Sequence, residues 1–449
     1  MKKTFSKGGI HPVAEKTASA AIRLLPLPQK AMLPLRQHIG APARATVKRG
    51  DHVVRGQMVA EGVSAISASV HTPVSGTVTS IENIMTPWGT PIEAIIVTSS
   101  EKEHEADSEI RRLEWEQTLG AKTDLSTAKN IASEEILFHA AKAGIVGLGG
   151  ATFPAHAKLC VRPENKINTL IINGCECEPY LMCDDALMRN CAPRIIEGTA
   201  LMIKATSASR AIIAIEDNKT DTIAAISAAI AEAGNASISL EVLQTKYPQG
   251  GEKQLIEACT GRRVGSGALP ASIGVIVHNV ATTFALRQAV TAGQPLIERV
   301  VTISGDIPVG ERHNYLAAIG TPLSNVPFTI PADKDIHIIA GGPMMGRSAV
   351  NLDAPLTKGC CGLTILSGTR RRPTQPCVRC GECVEACPMG LEPYLLSAYG
   401  SRQLWREAAA ASVTDCLECG ACSYSCPSSR PLLDFIRIAK QRARTIKQD

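Results

Sequence analysis

Apolar positions along the chain change their period several times, and each change predicts a different kind of element. Residues 47–60 alternate short β-rich runs with Gly-Asp and Gly-Gln turns, and the pattern returns at residues 70–78, so two hairpins of a small sandwich are expected. The Pro-rich stretch at residues 25–34 predicts an extended segment. Residues 133–143 show helical periodicity, with Ser133 as the N-cap and Glu134 and Glu135 in the first turn. The unbroken apolar run at residues 167–172 reads as a buried strand, residues 210–215 and 237–243 as two more, and Thr220–Ala233 as an Ala-rich helix between them. A further helix is expected from about Gln254, which makes the centre of the chain an α/β domain. Strands return at residues 300–310 and 337–340. Residues 391–411 are helical in composition, and residues 432–446 form an amphipathic helix bearing Arg437, Lys440, Arg442 and Arg444, read as a solvated face or a docking or membrane surface. Residues 99–116 are dense in charge and read as a solvated linker and helix start.

With 449 residues the chain has room for roughly three or four domains. Hydrophobic residues at 45% and charged residues at 20% fit a globular protein, and aromatics at 3% are too scarce for a base-stacking surface. The net charge of +5 is small for this length, so no nucleic-acid partner is expected. Lys2 and Lys3 resemble the start of a signal peptide, but residues 4–9 lack the apolar region that export requires. No apolar run approaches the ~20 residues that span a bilayer.

Cysteine supplies the strongest chemical signal. Cys377, Cys380, Cys383 and Cys387, followed by Pro388, repeat the spacing of Cys416, Cys419, Cys422 and Cys426, followed by Pro427. Both runs have the C-x2-C-x2-C-x3-C-P form of bacterial iron–sulfur ligation, so two [4Fe–4S] clusters are expected. The fourth cysteine of each such run ligates the other cluster. This groups Cys377, Cys380, Cys383 and Cys426 around one cluster and Cys416, Cys419, Cys422 and Cys387 around the second. Structural zinc and disulfides fit two identical quartets less well, and thiolates that bind iron must stay reduced, which points to the cytoplasm. Arg379, inside the first run, is a charge that could tune cluster potential or simply face solvent. Cys175, Cys177, Cys183 and Cys191 are irregularly spaced and read as free thiols rather than a third metal site, Cys160 and Cys259 read as buried thiols, and Cys360 and Cys361 stay open. A basic loop, Arg370 to Arg372, leads into the cysteines.

Two features of the central domain suit a phosphate-bearing ligand. Gly144, Gly147, Gly149 and Gly150 make a loop whose backbone can approach a phosphate closely, although a tight turn needs glycines for its own sake. Polar residues from Asn173 to Glu178 crowd the end of a buried strand, where open α/β sheets bind ligands. Lys158 could meet a phosphate, Asn173 and Asn279 could read a heterocycle edge, and Glu178, with Glu176 or Glu252, could accept hydrogen bonds from a ribose or carboxamide.

Three separated pieces then resemble the flavin-carrying, NADH-binding subunit of respiratory complex I. These are the loop from Gly144 to Lys158, the turn from Asn173 to Pro179, and Tyr247, Gly250, Gly251 and Glu252 together with Asn279. Cys175 stands where that family has an acidic residue, and Leu148 where it has an arginine. The resemblance implies FMN as cofactor and NADH as substrate, with Gly147, Gly149, Gly150, Lys158, Asn173, Tyr247, Gly250, Gly251, Glu252 and Asn279 as the binding set and Glu178 and Glu176 beside the nicotinamide.

Residues 36–100 resemble biotinyl/lipoyl-like barrel-sandwich domains without the modified lysine at the hairpin tip, which argues against a swinging arm. Residues 291–350 look like the β-grasp (SLBB-type) module that follows the flavin domain in the complex I family. The expected organisation is a mix of α/β and α+β units: an extended segment (1–35), a barrel-sandwich hybrid (36–100), a linker (101–130), a complex-I-flavoprotein-like α/β domain (131–290), the β-grasp module (291–350), a linker (351–370), an α-helical two-cluster ferredoxin domain (371–431) and a basic amphipathic tail (432–449). This order, with the opening Gly8-Gly9-Ile10-His11-Pro12, resembles the RnfC family, the peripheral electron-entry subunits of Rnf (Rsx) ion-translocating complexes. Some members carry a long Ala/Lys-rich C-terminal extension, expected to be missing here. The resemblance implies docking to membrane-embedded Rnf subunits on the cytoplasmic face of the bacterial inner membrane, with ferredoxin as a partner of the whole complex. A cobalamin-reductase-like flavin and iron–sulfur protein and a flavin-free electron relay are the competing readings.

Overall fold

A computed structural model describes residues 2–161, 164–329, 335–368 and 373–446. The basic loop of Arg370, Arg371 and Arg372 lies outside the described residues.

The central domain is built on a parallel sheet with the strand order Ile238–Leu243, Arg210–Glu216, Thr169–Asn173, Val275–Asn279. Its two inner strands, Arg210–Glu216 and Thr169–Asn173, are apolar without alternation because both faces are covered. Leu170 and Ile172 point into one core with the helices Cys183–Thr206 and Val280–Ala292, and Ile171 points into another with Glu252–Thr260. Asn173 and Asn279 stand side by side in register at the carboxyl ends of their strands.

Two small sheets form the barrel-sandwich unit, and Leu33, Val53, Val59, Val78, Ile95 and Val97 fill it. Its first strand, Lys30–Pro34, pairs with Pro91–Thr98, so the unit starts within the segment expected to be only extended. The rest of that segment threads between modules. Ile22–Leu24 joins the edge of a six-stranded sheet, Lys3 bridges to Leu243, and Ile10 bridges to Tyr247.

Both expected linkers are structural. Residues 101–119 form one helix, started by a capping box between Ser100 and Glu103. Its buried stripe is Asp107, Arg111, Trp115 and Thr118. Asp107 accepts hydrogen bonds from Ser75 N and Oγ, and Arg111 binds Leu25 O, Leu316 O and Glu298. A helix that buries polar residues shows no hydrophobic period, so it reads as solvated. Residues 351–370 contain Gly362–Ser367, an interior strand of the six-stranded sheet between Glu298–Gly305 and Ile336–Ala340.

The helix Leu432–Ala443 is no tail. It buries Leu432, Ile436, Ala439 and Ala443 against the helices Pro393–Ser401 and Trp405–Ala410 and so completes the cluster domain. Two of its cations also turn inward: Lys440 reaches Cys416 O at 2.6 Å and Glu418 at 2.9 Å, and Arg437 reaches Glu418 at 3.3 Å.

Candidate flavin cleft and cluster sites

The glycine loop springs from the end of the helix Ser133–Lys142 and folds on itself. Gly147 N donates to Phe153 O (2.8 Å), Thr152 N to Gly147 O (3.0 Å) and Ala155 N to Ile145 O (2.9 Å). These bonds close the base and leave Gly149, Gly150 and Ala151 exposed. Gly149 lies against Asn279, where a Cβ would stand 3.3 Å from the asparagine side chain; Gly150, at φ +108°, faces open space. A loop tip of bare backbone with room beside it is a cradle for a flat or phosphate-bearing group.

Around that tip the sheet brings several expected residues together. Asn173 donates Nδ2 to Gly250 O (2.9 Å) and accepts from Cys175 N (3.0 Å). Gly250 has no room for a side chain, since a Cβ would stand 2.3 Å from Cys175 O. Asn279 caps the helix Val280–Ala292 and donates Nδ2 to Asp184 Oδ2 at 2.6 Å. Lys158 pairs with Glu252 at 2.7 Å, both partly exposed, so the ammonium is available to an anion that displaces the carboxylate. Gly147, Gly149, Gly150, Lys158, Asn173, Gly250, Gly251, Glu252 and Asn279 thus form one continuous neighbourhood. The donor set and the open backbone fit FMN.

Three other expected residues are committed elsewhere. Glu176 is buried and accepts from Asp184 N (3.0 Å), Asp185 N (3.3 Å) and Cys183 Sγ (3.2 Å), which makes it the N-terminal anchor of the helix Cys183–Thr206. Burial opposes its charge, but Lys219 (3.3 Å) and Lys16 outweigh burial and hold the carboxyl below its ordinary range. Glu178 binds Met344 N (3.1 Å) and Met345 N (2.7 Å), clasping the 341–346 loop of the β-grasp module. Burial pushes its carboxyl up to about 6, with those two N–H groups pulling the other way. Tyr247 is buried, and its Oη donates to Cys419 O at 2.7 Å. It belongs to the junction with the cluster domain rather than to the cleft. Both glutamates sit at the end of a strand, as ligand-binding acids do, but their side chains satisfy helix and loop amides.

The structure adds residues that no local pattern marks. Lys16 donates to the carbonyls of Glu176, Glu178 and Leu181, fastening the N-terminal segment to this turn. Asp184 faces Asn279, and burial, then Glu176, raises its carboxyl above the ordinary range.

The two cysteine runs fold alike. Arg379 and Glu418 take the left-handed region at equivalent positions, as do Gly381 and Gly420, and then Gly390 and Ser429 three residues past the fourth cysteine of each run. The curled backbone turns amides toward sulfur: Glu418 N donates to Cys416 Sγ (3.3 Å) and Leu391 N to Cys387 Sγ (3.4 Å). Cys387 crosses over as the spacing predicts. A cavity is lined by Cys387, Cys416, Cys419 and Cys422, with Leu391, Leu396, Leu417, Leu433 and Ile436 as apolar walls. Burial first, then the other thiols of this quartet, pushes Cys419 up to about 11 and Cys422 up to about 12. Four thiols around an apolar-walled cavity suit a [4Fe–4S] cluster, whose charge spreads over several atoms. Cys377 and Cys380 are exposed, and Cys383 and Cys426 are half-buried. Cys175, Cys183, Cys191 and Cys259 are buried free thiols, whereas Cys160 is exposed; among the described residues no three His, Cys, Asp or Glu side chains close on a single-ion site.

Comparison with known proteins agrees with this construction. Residues 140–288 match the family model of the Nuo51 FMN-binding domain, residues 3–102 that of the RnfC barrel sandwich hybrid domain, and residues 376–430 that of the 4Fe-4S dicluster domain. The chain is 39% identical to the C subunit of the proton-translocating ferredoxin:NAD(+) oxidoreductase complex of Clostridium ljungdahlii, over 99% of this chain and 95% of that protein. It is also 39% identical to the C subunit of the Na(+)-translocating ferredoxin:NAD(+) oxidoreductase complex of Acetobacterium woodii (97% and 96% covered), and 40% identical to the C subunit of the ion-translocating oxidoreductase complex of Rhodobacter capsulatus (87% and 74% covered). Among solved structures, a chain of an NAD+-reducing [NiFe]-hydrogenase shares the fold, with a TM-score of 0.51 over 79% of this chain and 75% of that one at 18% identity. With such identity along almost its whole length, and with the barrel-sandwich, flavin and dicluster units in the same chain, the protein belongs to the RnfC family of ion-translocating oxidoreductase (Rnf) complexes.

Proposed function

We propose that the chain is the electron-entry subunit of an Rnf-type complex: it takes electrons from NADH at the flavin cleft and delivers them through two [4Fe–4S] clusters to other subunits. FMN, when bound, supplies the conversion between the two-electron hydride of NADH and the single electrons a cluster accepts. Lys158 would hold its phosphate, the amides of Gly147, Gly149 and Gly150 would cradle it, and Asn173 and Asn279 would meet its polar edge. Glu176 and Glu178 orient the turn and the β-grasp loop that flank the cleft.

The junction between flavin domain and cluster domain carries this reading. It falls on the run that includes Cys419 and on the crossing Cys387: Tyr247 Oη binds Cys419 O, Gln254 Nε2 binds Pro388 O (3.3 Å), Gly9 N binds Ala386 O (3.0 Å), and Gly8 packs on Cys387. The quartet of Cys387, Cys416, Cys419 and Cys422 is therefore the one next to the cleft. The quartet with the exposed Cys377 and Cys380 is the outlet, flanked by the exposed Val378 and Tyr424. Another protein of the complex would receive electrons there. No helix among the described residues is long and apolar enough to cross a membrane. As an Rnf-type subunit the chain would dock peripherally to membrane subunits on the cytoplasmic face, with ferredoxin serving the whole complex.

The test is composition and response. Anaerobically reconstituted protein should hold about eight irons and one FMN, and NADH should bleach the cluster absorbance. Iron without FMN, and no bleaching by NADH, would reduce the chain to a relay.

A further inference from the structure

We infer that Arg299, on the strand Glu298–Gly305, and Lys358, just ahead of the strand Gly362–Ser367, are positioning residues for the glycine loop of the cleft. The inference rests on reading that cleft as the FMN site.

Lys358 is 1% exposed and Arg299 3% exposed, and among the described residues neither is paired with a carboxylate. Burying a cationic side chain is costly, burial alone pushes the Lys358 ammonium down to about 7, and an apolar side chain would fill the same space without that cost. Their donors instead go to backbone carbonyls. Lys358 Nζ binds Gly144 O (2.8 Å), where the loop begins, and Ser69 O (2.7 Å) of the barrel-sandwich unit, while Gln37 Oε1 accepts from Lys358 N (3.1 Å). Arg299 binds Lys358 O with one arm and Leu148 O, next to the loop tip, with the other (3.2 Å). One linked pair therefore grips the loop at both Gly144 and Leu148.

The neighbouring backbone has no slack to absorb its loss. Gly144 is at φ +64°, with space for a Cβ denied by Ser69 O at 2.2 Å, and Gly359 lies so close to Thr152 that a Cβ would stand 2.9 Å from its methyl group. Thr282 Oγ1 accepts from Leu148 N at 2.8 Å on the opposite side. The loop is clamped at Gly144, Leu148 and Thr152, and only its tip is free. A shift at Leu148 moves Gly149, which has to lie against Asn279 for the cleft to keep its shape.

The experiment uses the full chain with reconstituted clusters, comparing wild type with Lys358→Met, Arg299→Met and Arg299→Lys. Arg299→Lys keeps the charge but cannot span two carbonyls, so it decides the matter if the methionine variants fail to fold. FMN affinity is read by flavin fluorescence, loop mobility by hydrogen exchange of residues 147–153, and the remainder by iron content and Tm. The expected result is FMN affinity about tenfold or more weaker, the loss of one or two charged hydrogen bonds, with faster exchange in the loop and unchanged iron. Variants that lose only Tm, with wild-type FMN affinity and loop exchange, would make the pair a plain structural staple and overturn the inference alone. A wild-type chain that takes up no FMN would overturn the flavin reading and this inference with it.

Discussion

Gly8→Ala tests the junction on which the electron path depends. Gly8 sits at φ +65°, and a Cβ on it would stand 2.4 Å from Cys387 O, 2.5 Å from the carbonyl carbon and 2.8 Å from Pro388 N. Alanine at such a φ costs about 1–2 kcal/mol. Backbone meeting backbone cannot rotate away as a side chain could, so the contact has to open by about 1 Å to reach ordinary van der Waals separation. That displacement loses the Gly9 N to Ala386 O bond, worth about 1 kcal/mol. Together the strain of about 2–3 kcal/mol shifts the ratio of docked to displaced cluster domain by roughly 30- to 150-fold. Gly8 touches neither the glycine loop nor Asn173, so flavin reduction is spared. In anaerobic stopped-flow with NADH, the variant should bleach its flavin at the wild-type rate and its clusters more slowly. Cluster bleaching at the wild-type rate, with normal iron content, would refute the role given to this contact.

Three further outcomes follow from the same geometry. Lys158→Ala should weaken FMN binding by about 10- to 150-fold, the value of one charged hydrogen bond; unchanged flavin occupancy in a fluorescence titration would remove Lys158 from the phosphate site. Glu178 has a folded-state carboxyl near 6, raised above its unfolded value of about 4.3, so its contribution to stability is full below the unfolded value and is lost as pH rises through about 6. Glu178→Gln should remove that component from a Tm profile across this range, and an identical profile would deny that Glu178 titrates there. Ending the chain at Pro431 strips the helix that walls the Cys387, Cys416, Cys419 and Cys422 cavity and should lower iron from about eight to about four or fewer per chain, whereas full iron content would show that the helix is dispensable.

Legibility in the sequence followed the range of the interactions. Cluster ligation is local, so the spacing alone pairs Cys387 with the second run, and the left-handed positions recur at equivalent places in both runs. The apolar strand ending in Asn173 was equally readable, because a buried parallel strand declares itself by composition and its carboxyl end is where polar residues gather, whereas the strand Val275–Asn279 carried no such reading. What stayed hidden depends on distant partners. Lys358 acts on a carbonyl 214 residues away, and nothing near residue 358 shows it. Helix Glu101–Leu119 looked solvated because Asp107 and Arg111 are buried against polar partners far away in the sequence. Lys440 and Arg437 looked like a basic surface, yet both turn to Glu418. Glu176 and Glu178 show the limit of position: the end of a strand marks them as site residues, while the direction of the side chain, which sequence does not specify, sets the helix-end and loop amides they bind.

Titration of the purified, reconstituted chain with NADH under anaerobic conditions, followed by absorbance and EPR, bears most directly on whether this chain joins a flavin cleft to two clusters. Bound FMN, and reduction of both the flavin and the cluster bands by NADH alone, is the expected outcome. Protein with its full iron but without FMN, and with cluster bands indifferent to NADH, would mean that no such path exists in this chain.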